Sequence, residues 1–102
     1  MLRLVVVGPA RADDRLPMGT GEVYAIYLAP ELWGIGAGGR LMRAAFDELR
    51  ARAYSTAIVW VLRDNVRARR FYERMGFVVD GREKVERIGE DDLAHVRYWV
   101  GL

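Results

Sequence analysis

The chain has 102 residues, a length that predicts one domain spanning residues 1–102. Hydrophobic residues make up 52% and charged residues 29%, which excludes a disordered chain and is typical of a globular domain. The lack of cysteine excludes disulfides, a thiolate zinc site and a cysteine nucleophile. A single histidine, His95, excludes a histidine-rich metal site, so we expect no bound metal.

The formal net charge is +2, and Lys84 is the only lysine among sixteen basic residues. Acidic residues interrupt the basic stretches, so a nucleic-acid-binding protein is the least favoured class. The apolar runs are far shorter than the ~20 residues that span a bilayer. Residues 1–7 combine a charge with a short apolar run, which favours a strand over a signal peptide and predicts a cytoplasmic protein.

The hydrophobic pattern predicts elements in the order β-β-α-β-α-β-β. Two β-α-β crossovers predict a mixed α/β (α+β) fold, with about five strands, two helices and parallel central strands. Gly8 and Pro9 are expected to end the first strand, before a loop over residues 10–21. The predicted strands cover residues 2–7, 22–28, 55–62, 77–85 and 93–100, and the helices follow the glycines at 34–39 and Asp64 or Asn65.

Four glycines, Gly34, Gly36, Gly38 and Gly39, lie between the second strand and the first helix. The first N–H groups of a helix have no intrahelical partner, and the helix dipole adds partial positive charge there. Glycine allows the backbone to approach an anion closely. The pattern therefore predicts an anion site, and a plain flexible turn is the alternative.

Residues 34–39 also match the dinucleotide-binding pattern G-x-G-x-x-G. That pattern needs its glycines directly after the strand and an acidic residue about 20 positions further on. Here five residues separate the strand from Gly34, and the later position falls near Tyr54. The spacing argues against a dinucleotide fold.

The segment from Ile26 to Gly38, IYLAPELWGIGAG, resembles the acetyl-CoA signature of the GNAT superfamily of N-acetyltransferases. That signature is a strand, a Pro-acid pair and Q/R-x-x-G-x-G/A opening a helix. Gly36 and Gly38 match its two glycine positions. Trp33 departs from it, because glutamine or arginine is usual there.

A second segment, from Asn65 to Phe77, resembles the later GNAT motif N-x-x-A-x-x-F-Y-x-x-x-G-F at every fixed position. Residues seven apart lie on nearly the same face of a helix, so Asn65 and Tyr72 can reach one ligand. The alternatives are that Asn65 is only a helix cap and Tyr72 only a core residue. The resemblance covers residues 2–100.

The resemblance implies acetyl-CoA as cofactor, bound where the second strand diverges from the third. It implies backbone pairing with the acetyl-pantetheine arm at residues 26–28 and pyrophosphate binding by the amides of residues 34–39. It also implies a hydrogen bond from Asn65 and general acid catalysis by Tyr72. The implied cofactor-binding residues are Ile26, Tyr27, Leu28, Gly34, Ile35, Gly36, Ala37, Gly38, Gly39, Asn65 and Tyr72.

The implied function is acetyl transfer to a primary amine of a small molecule or protein, by direct attack in a ternary complex. A backbone N–H near Leu28 is suited to stabilise the oxyanion, and Tyr72 is protonated at neutral pH. Glu22 is the candidate base, against the alternative of a solvated charge at a strand end. The alternative function is a catalytically inactive coenzyme A-binding module or a truncated fragment.

Other polar and aromatic residues have simpler interpretations. Trp60 is expected in the core, and Tyr98 and Trp99 are expected on opposite faces of the last strand. His95 is expected to be a surface or strand-pairing residue. Solvated positions on the second helix are expected for Arg67, Arg69 and Arg70.

GNAT proteins usually begin with elements that this sequence lacks before the strand at residues 2–7. We therefore expect a short N-terminus, an unpaired sheet edge and exposed apolar surface there. A shortened product, a misplaced start and a homodimer that completes the fold are the three explanations.

Overall fold

The computed structural model describes residues 3–10, 16, 18–34 and 36–102. The order of its elements confirms the β-β-α-β-α-β-β arrangement expected from the sequence. The strands are β1 (Arg3–Pro9), β2 (Thr20–Leu28), β3 (Thr56–Leu62), β4 (Val78–Ile88) and β5 (Asp91–Gly101), and the helices are α1 (Ala37–Ala51) and α2 (Val66–Arg74), with a short 3₁₀ turn at Pro30–Leu32.

Some boundaries differ from the prediction. β1 continues through Gly8 and Pro9, because it pairs with β2 as far as Pro9 opposite Gly21. The β4–β5 hairpin is also longer than predicted and closes at Gly89, whose φ of 65° suits a tight turn. Charged residues dominate the end of this hairpin, so no apolar pattern marks its strands there.

The described strands form one mixed sheet in the order β1-β2-β3-β5-β4. β2 and β3 are parallel, as expected for the centre, and the other neighbours are antiparallel. β5 lies between β3 and β4, so the second β-α-β crossover joins strands that are not neighbours. β1 lies at one edge of this sheet, with Leu4 and Val6 each 43% exposed.

Both helices pack on one face of the sheet, which we call the helix face. In α1 the buried positions Met42, Ala45, Phe46 and Leu49 follow the period of a helix and form one stripe. They contact alternate strand residues on β2, β3 and β5. The strand residues of this core are Val23, Ala57, Val59, Val61, Val96 and Tyr98.

Helix α2 is attached to the sheet through the hydroxyl of Tyr98, which is fully buried on β5. That hydroxyl accepts a hydrogen bond from Arg69 Nε at 2.9 Å and donates one to Glu73 Oε2 at 2.7 Å. Arg69 also donates to the carbonyl of Arg63 at 3.0 Å. The expectation that Arg69 is simply solvated is therefore wrong, because the helix places its guanidinium over β5.

We expect Tyr98→Phe to lower the free energy of unfolding by about 1–3 kcal/mol, because Arg69 and Glu73 lose a buried partner. Urea denaturation measures this difference. Tyr27→Phe is the matched control, since Tyr27 lies on β2 with 46% exposure. Equal stability of the two variants would show that the Tyr98 hydroxyl does not hold α2 in place.

Candidate active site

The parallel strands β2 and β3 are paired over only three positions, from Thr20 opposite Thr56 to Glu22 opposite Ile58. Beyond Glu22, β2 continues along β1 to Leu28, and β3 continues along β5 to Leu62. The two strands therefore diverge and leave a gap within the sheet. In the described residues, no residue of β3 pairs with β2 beyond Glu22, so the backbone of residues 25–28 borders the gap.

A β-bulge accounts for the divergence. Val6 pairs with Ala25 and Val7 pairs with Val23, so Tyr24 is an extra residue on β2. A bulge bends its strand and increases the local twist. It also changes which residues face the helices, since Val23 and Ile26 both pack on the core although they are three apart.

The glycine turn opens α1 beside the end of β2. Gly34 and Gly36 have φ values of 79° and 82°, which favour glycine. Gly36 is the N-cap and makes no side-chain capping bond, and the first turn contains no acidic residue. The first amide groups of α1, from Ala37 onward, are thus free to bind an anion.

Gly38 lies where α1, α2 and β2 meet. A Cβ atom added there would lie 3.1 Å from Phe71 Cε1 and 3.7 Å from Leu28 Cδ2. Gly39 similarly faces Met75, at 3.8 Å from its sulfur. These glycines therefore bring the start of α1 close to the helix that carries Asn65 and Tyr72.

Trp33 connects the turn to its neighbours. Its indole Nε1 donates to the carbonyl of Leu28 at 2.8 Å. The guanidinium carbon of Arg67 lies 4.1 Å from the centroid of the indole ring, a cation–π contact. A positive charge from α2 therefore stands beside the turn, at the position where the sequence lacks a glutamine or arginine. Arg67 and Arg70 are exposed, as predicted.

Residues 26–28 lie on the part of β2 that has diverged from β3, along the gap. Ile26 packs against the core and Tyr27 is 46% exposed on the other side of the strand. Leu28 is opposite Arg3 at the end of the β1 pairing, and its carbonyl is the acceptor for Trp33. These three residues therefore lie on the part of β2 that extends past its last pair with β3.

Asn65 is the N-cap of α2, and its Oδ1 accepts a hydrogen bond from the backbone N–H of Ala68 at 3.1 Å. The capping role considered from the sequence is therefore present. The side-chain amide of asparagine also has two N–H donors, which this cap does not use. Asn65 is exposed, so those donors can face a ligand.

Tyr72 lies on α2 with 6% exposure, inside a group of aromatic rings. Its ring centroid is 5.7 Å from that of Phe77, 5.5 Å from that of Phe71 and 6.3 Å from that of Tyr98. Within the described part of the chain, no hydrogen-bond partner of its hydroxyl is found. Burial raises the pKa of Tyr72 to about 12, so the phenol keeps its proton at neutral pH.

Glu22 is 3% exposed, so the interpretation as a solvated strand-end charge is wrong. It stands at the last parallel pair, between Gly21 and Val23, which face the helices. Its side chain therefore points to the opposite face of the sheet. There it borders a cavity of about 130 Å³, the opposite-face cavity, lined by Glu22, Tyr24, Trp60, Lys84, Glu86 and His95.

Sequence reasoning missed most of this cavity. Trp60 was expected in the core, but it is partly exposed and faces the cavity. His95 pairs with Lys84 and Leu62 as a strand residue, yet it is 9% exposed and its Nδ1 lies 3.0 Å from the carbonyl of Leu93. Strand alternation from Val59 and Val61 would have placed Trp60 on this face.

Two predicted regions lie outside the described residues. They are Ile35 in the glycine turn and residues 11–15 and 17 in the loop before β2. In the described part of the chain, no cluster of three or more histidine, aspartate or glutamate residues is suited to a metal ion. No described helix has the length and apolar character needed to cross a membrane.

A mixed sheet that opens between two parallel strands, next to a glycine turn at a helix start, defines an α/β protein with a cleft for an extended anionic ligand. The model of the Acetyltransferase (GNAT) family matches residues 5–77. The chain belongs to this family.

Sequence relatives match a part of the chain. A mycothiol acetyltransferase of Streptomyces griseus is 42% identical over 66 residues, covering 65% of this chain and 20% of the relative. An uncharacterized N-acetyltransferase of Archaeoglobus fulgidus is 42% identical over 52 residues, covering 51% of this chain and 35% of that relative. The chain thus spans between a fifth and about a third of the length of these relatives.

Solved structures share the fold along nearly the whole chain. A ribosomal-protein-alanine N-acetyltransferase from Brucella melitensis has a TM-score of 0.81 at 20% identity, covering 98% of this chain and 61% of that protein. A GNAT family acetyltransferase from Elizabethkingia anophelis, solved with acetyl-CoA bound, has a TM-score of 0.78 at 13% identity. It covers 100% of this chain and 69% of that protein.

The raised pKa of Tyr72 makes stability depend on pH in the alkaline range. Because the pKa is about 12 in the folded chain and about 10 when unfolded, the stabilisation is complete below pH ~10 and is lost toward pH ~12. From about pH 9 to about pH 11, we expect the wild type to lose about 1 kcal/mol more unfolding free energy than Tyr72→Phe. Denaturation curves at both pH values measure this, and equal losses would contradict the burial of the phenol.

Proposed function

We propose that this chain forms the catalytic part of an acetyl-CoA-dependent N-acetyltransferase. The observation that carries the proposal is the gap between β2 and β3. Tyr72 lies on the helix face beneath the divergent strands, and Glu22 lies on the opposite face. An acetyl thioester within the gap would have a proton donor on one side and a carboxylate on the other.

The cofactor is proposed to run from the glycine turn into the gap. The amides of residues 34–39, including Gly34, Gly36, Ala37, Gly38 and Gly39, would hold the pyrophosphate with help from the helix dipole. The backbone of Ile26, Tyr27 and Leu28 would pair with the amide-containing pantetheine arm, as a neighbouring strand would. Asn65 would donate to the cofactor from the start of α2.

The reaction would be a direct attack by the amine on the acetyl carbonyl in a ternary complex. A backbone N–H near Leu28 would stabilise the oxyanion. Tyr72 would donate its proton to the departing thiolate, since the phenol is protonated at neutral pH. Glu22 would accept the proton of the amine from the opposite-face cavity.

The acceptor is proposed to be a primary amine of a small molecule or a protein. The relatives and neighbours include a mycothiol acetyltransferase and a ribosomal-protein-alanine N-acetyltransferase, whose names refer to a small molecule and to a protein. The cytoplasmic location and the homodimer expected from the sequence stay predictions.

We expect Gly36→Asp to weaken acetyl-CoA binding at least about 10²-fold. A carboxylate at this position would overlap the pyrophosphate sterically and repel its negative charge. Gly89→Asp is a matched control, since Gly89 also has a positive φ of 65° but lies in the β4–β5 hairpin. Calorimetric titration with acetyl-CoA measures the affinity of both variants. Equal affinity in the two folded variants would exclude the glycine turn as the pyrophosphate site.

We expect Tyr72→Phe to lower turnover about 10²-fold while acetyl-CoA affinity stays within about threefold, because only proton donation is lost. The assay follows the free thiol of coenzyme A with a panel of alkylamines and peptide N-termini. Tyr54→Phe is the control, since Tyr54 precedes β3 and packs at the edge of the core. Cofactor binding by the wild type without turnover of any acceptor would favour the inactive coenzyme A-binding module.

A further inference from the structure

Lys84 is the only lysine in the 102 residues, and its ammonium lies in the opposite-face cavity. The Nζ atom is 4.3 Å from the ring centroid of Trp60 and 3.0 Å from Glu86 Oε1. The side chain is 29% exposed. All other basic side chains except His95 are arginines, which stay protonated and do not act as nucleophiles.

The position of Trp60 places this amine at the gap. Glu22 opposite Ile58 is the last parallel pair, and Tyr24 and Trp60 are the residues two positions further along the diverging strands. Both line the opposite-face cavity, so they flank the gap on that face. Lys84 on β4 reaches across β5 to contact Trp60, so its amine lies on the face of the gap proposed for the acceptor.

The groups beside this amine include carboxylates that can accept its proton. Two carboxylates, Glu22 and Glu86, line the same cavity, and Glu86 already contacts the Lys84 ammonium. Arg97 lies on β5, opposite Trp60 in the strand ladder. Its guanidinium carbon is 5.7 Å from the centroid of the Trp60 ring, and its Nε is 2.6 Å from Asp80 Oδ2. The remaining titratable groups at the lining are those of Tyr24 and His95.

We propose that Lys84 is an internal acetyl acceptor, so that the chain modifies itself with its own cofactor. This inference rests on the proposed function. The Lys84 ammonium gives a proton to Glu86, and the neutral Nζ attacks the acetyl carbonyl carbon. The new C–N bond forms and the C–S bond breaks. The thiolate receives the proton of Tyr72. The second amine proton passes through solvent and restores the phenol, and Glu86 releases the first proton to solvent.

The balanced result is one acetyl-lysine, one coenzyme A thiol and one proton released for each acetyl-CoA consumed. The modification removes the positive charge of Lys84. It therefore abolishes the ion pair with Glu86 and the cation–π contact with Trp60. The cavity lining then keeps its two carboxylates and loses the positive charge of Lys84.

The test is incubation of the purified chain with acetyl-CoA, followed by trypsin digestion and mass spectrometry. Trypsin does not cleave after an acetylated lysine, so modification yields residues 83–87 as one peptide with one added acetyl group. We expect up to one acetyl group at Lys84 in each chain. The rate is expected to be independent of protein concentration, and about 10²-fold lower in Tyr72→Phe.

Arg87→Lys supplies a matched control for chemical acetylation. Arg87 lies on β4 three residues after Lys84, is 64% exposed and faces away from the cavity. We expect Lys84 to be acetylated at least about tenfold faster than the introduced lysine, because only Lys84 lies at the gap. Equal rates at the two positions would identify the modification as chemical and overturn the inference.

Two further results would overturn it. A rate proportional to protein concentration would show transfer between molecules. An unmodified Lys84 in a chain that binds acetyl-CoA by calorimetry would contradict self-acetylation and leave the proposed function intact. A folded chain that does not bind acetyl-CoA would contradict both proposals, so the two failures are distinguishable.

Discussion

The short pairing of β2 with β3 is the constraint on which the rest of the structure depends. Three parallel pairs join one two-stranded unit, β1–β2, to one three-stranded unit, β3–β5–β4. Each diverging strand keeps a full antiparallel partner on its outer side, so the gap does not leave either strand unsupported. The bulge at Tyr24 bends β2 while the ladder to β1 continues. The sheet is therefore stable and open at the same place.

The two faces of the gap have opposite chemical character, and this follows from strand alternation. The helix face is apolar and aromatic, and it surrounds the phenol of Tyr72 with other rings. The opposite face carries buried charge, in Glu22 and in the pair of Arg97 with Asp80. Burying charges carries a desolvation penalty, which pairing offsets only in part. Their concentration beside the gap, and not elsewhere in the described core, is what distinguishes this face from a simple exterior.

The sequence predicts what local pattern controls and misses what long-range packing controls. The element order, the Asn65 cap and the glycine turn follow from periodicity and local backbone preference. The burial of Glu22 does not follow from the local pattern, since an acidic residue at a strand end is usually solvated. The contact of Arg69 with Tyr98 joins residues 29 positions apart, and no helical pattern signals it. The bulge at Tyr24 cannot be predicted from the sequence either. One extra residue changes which side chains of β2 face the helices, but it leaves the composition of the strand unchanged.

Trp33 shows why a motif is better compared by the location of its charges than by residue position. The turn has tryptophan where the family pattern has glutamine or arginine, so a positional comparison counts a lost contact. In the folded chain the indole is fixed by its bond to Leu28, and its ring face is covered by the guanidinium of Arg67. A cation held on an aromatic face keeps its donors directed outward. A positive charge from α2 therefore stands beside the turn, where the close approach at Gly38 brings the two helices together.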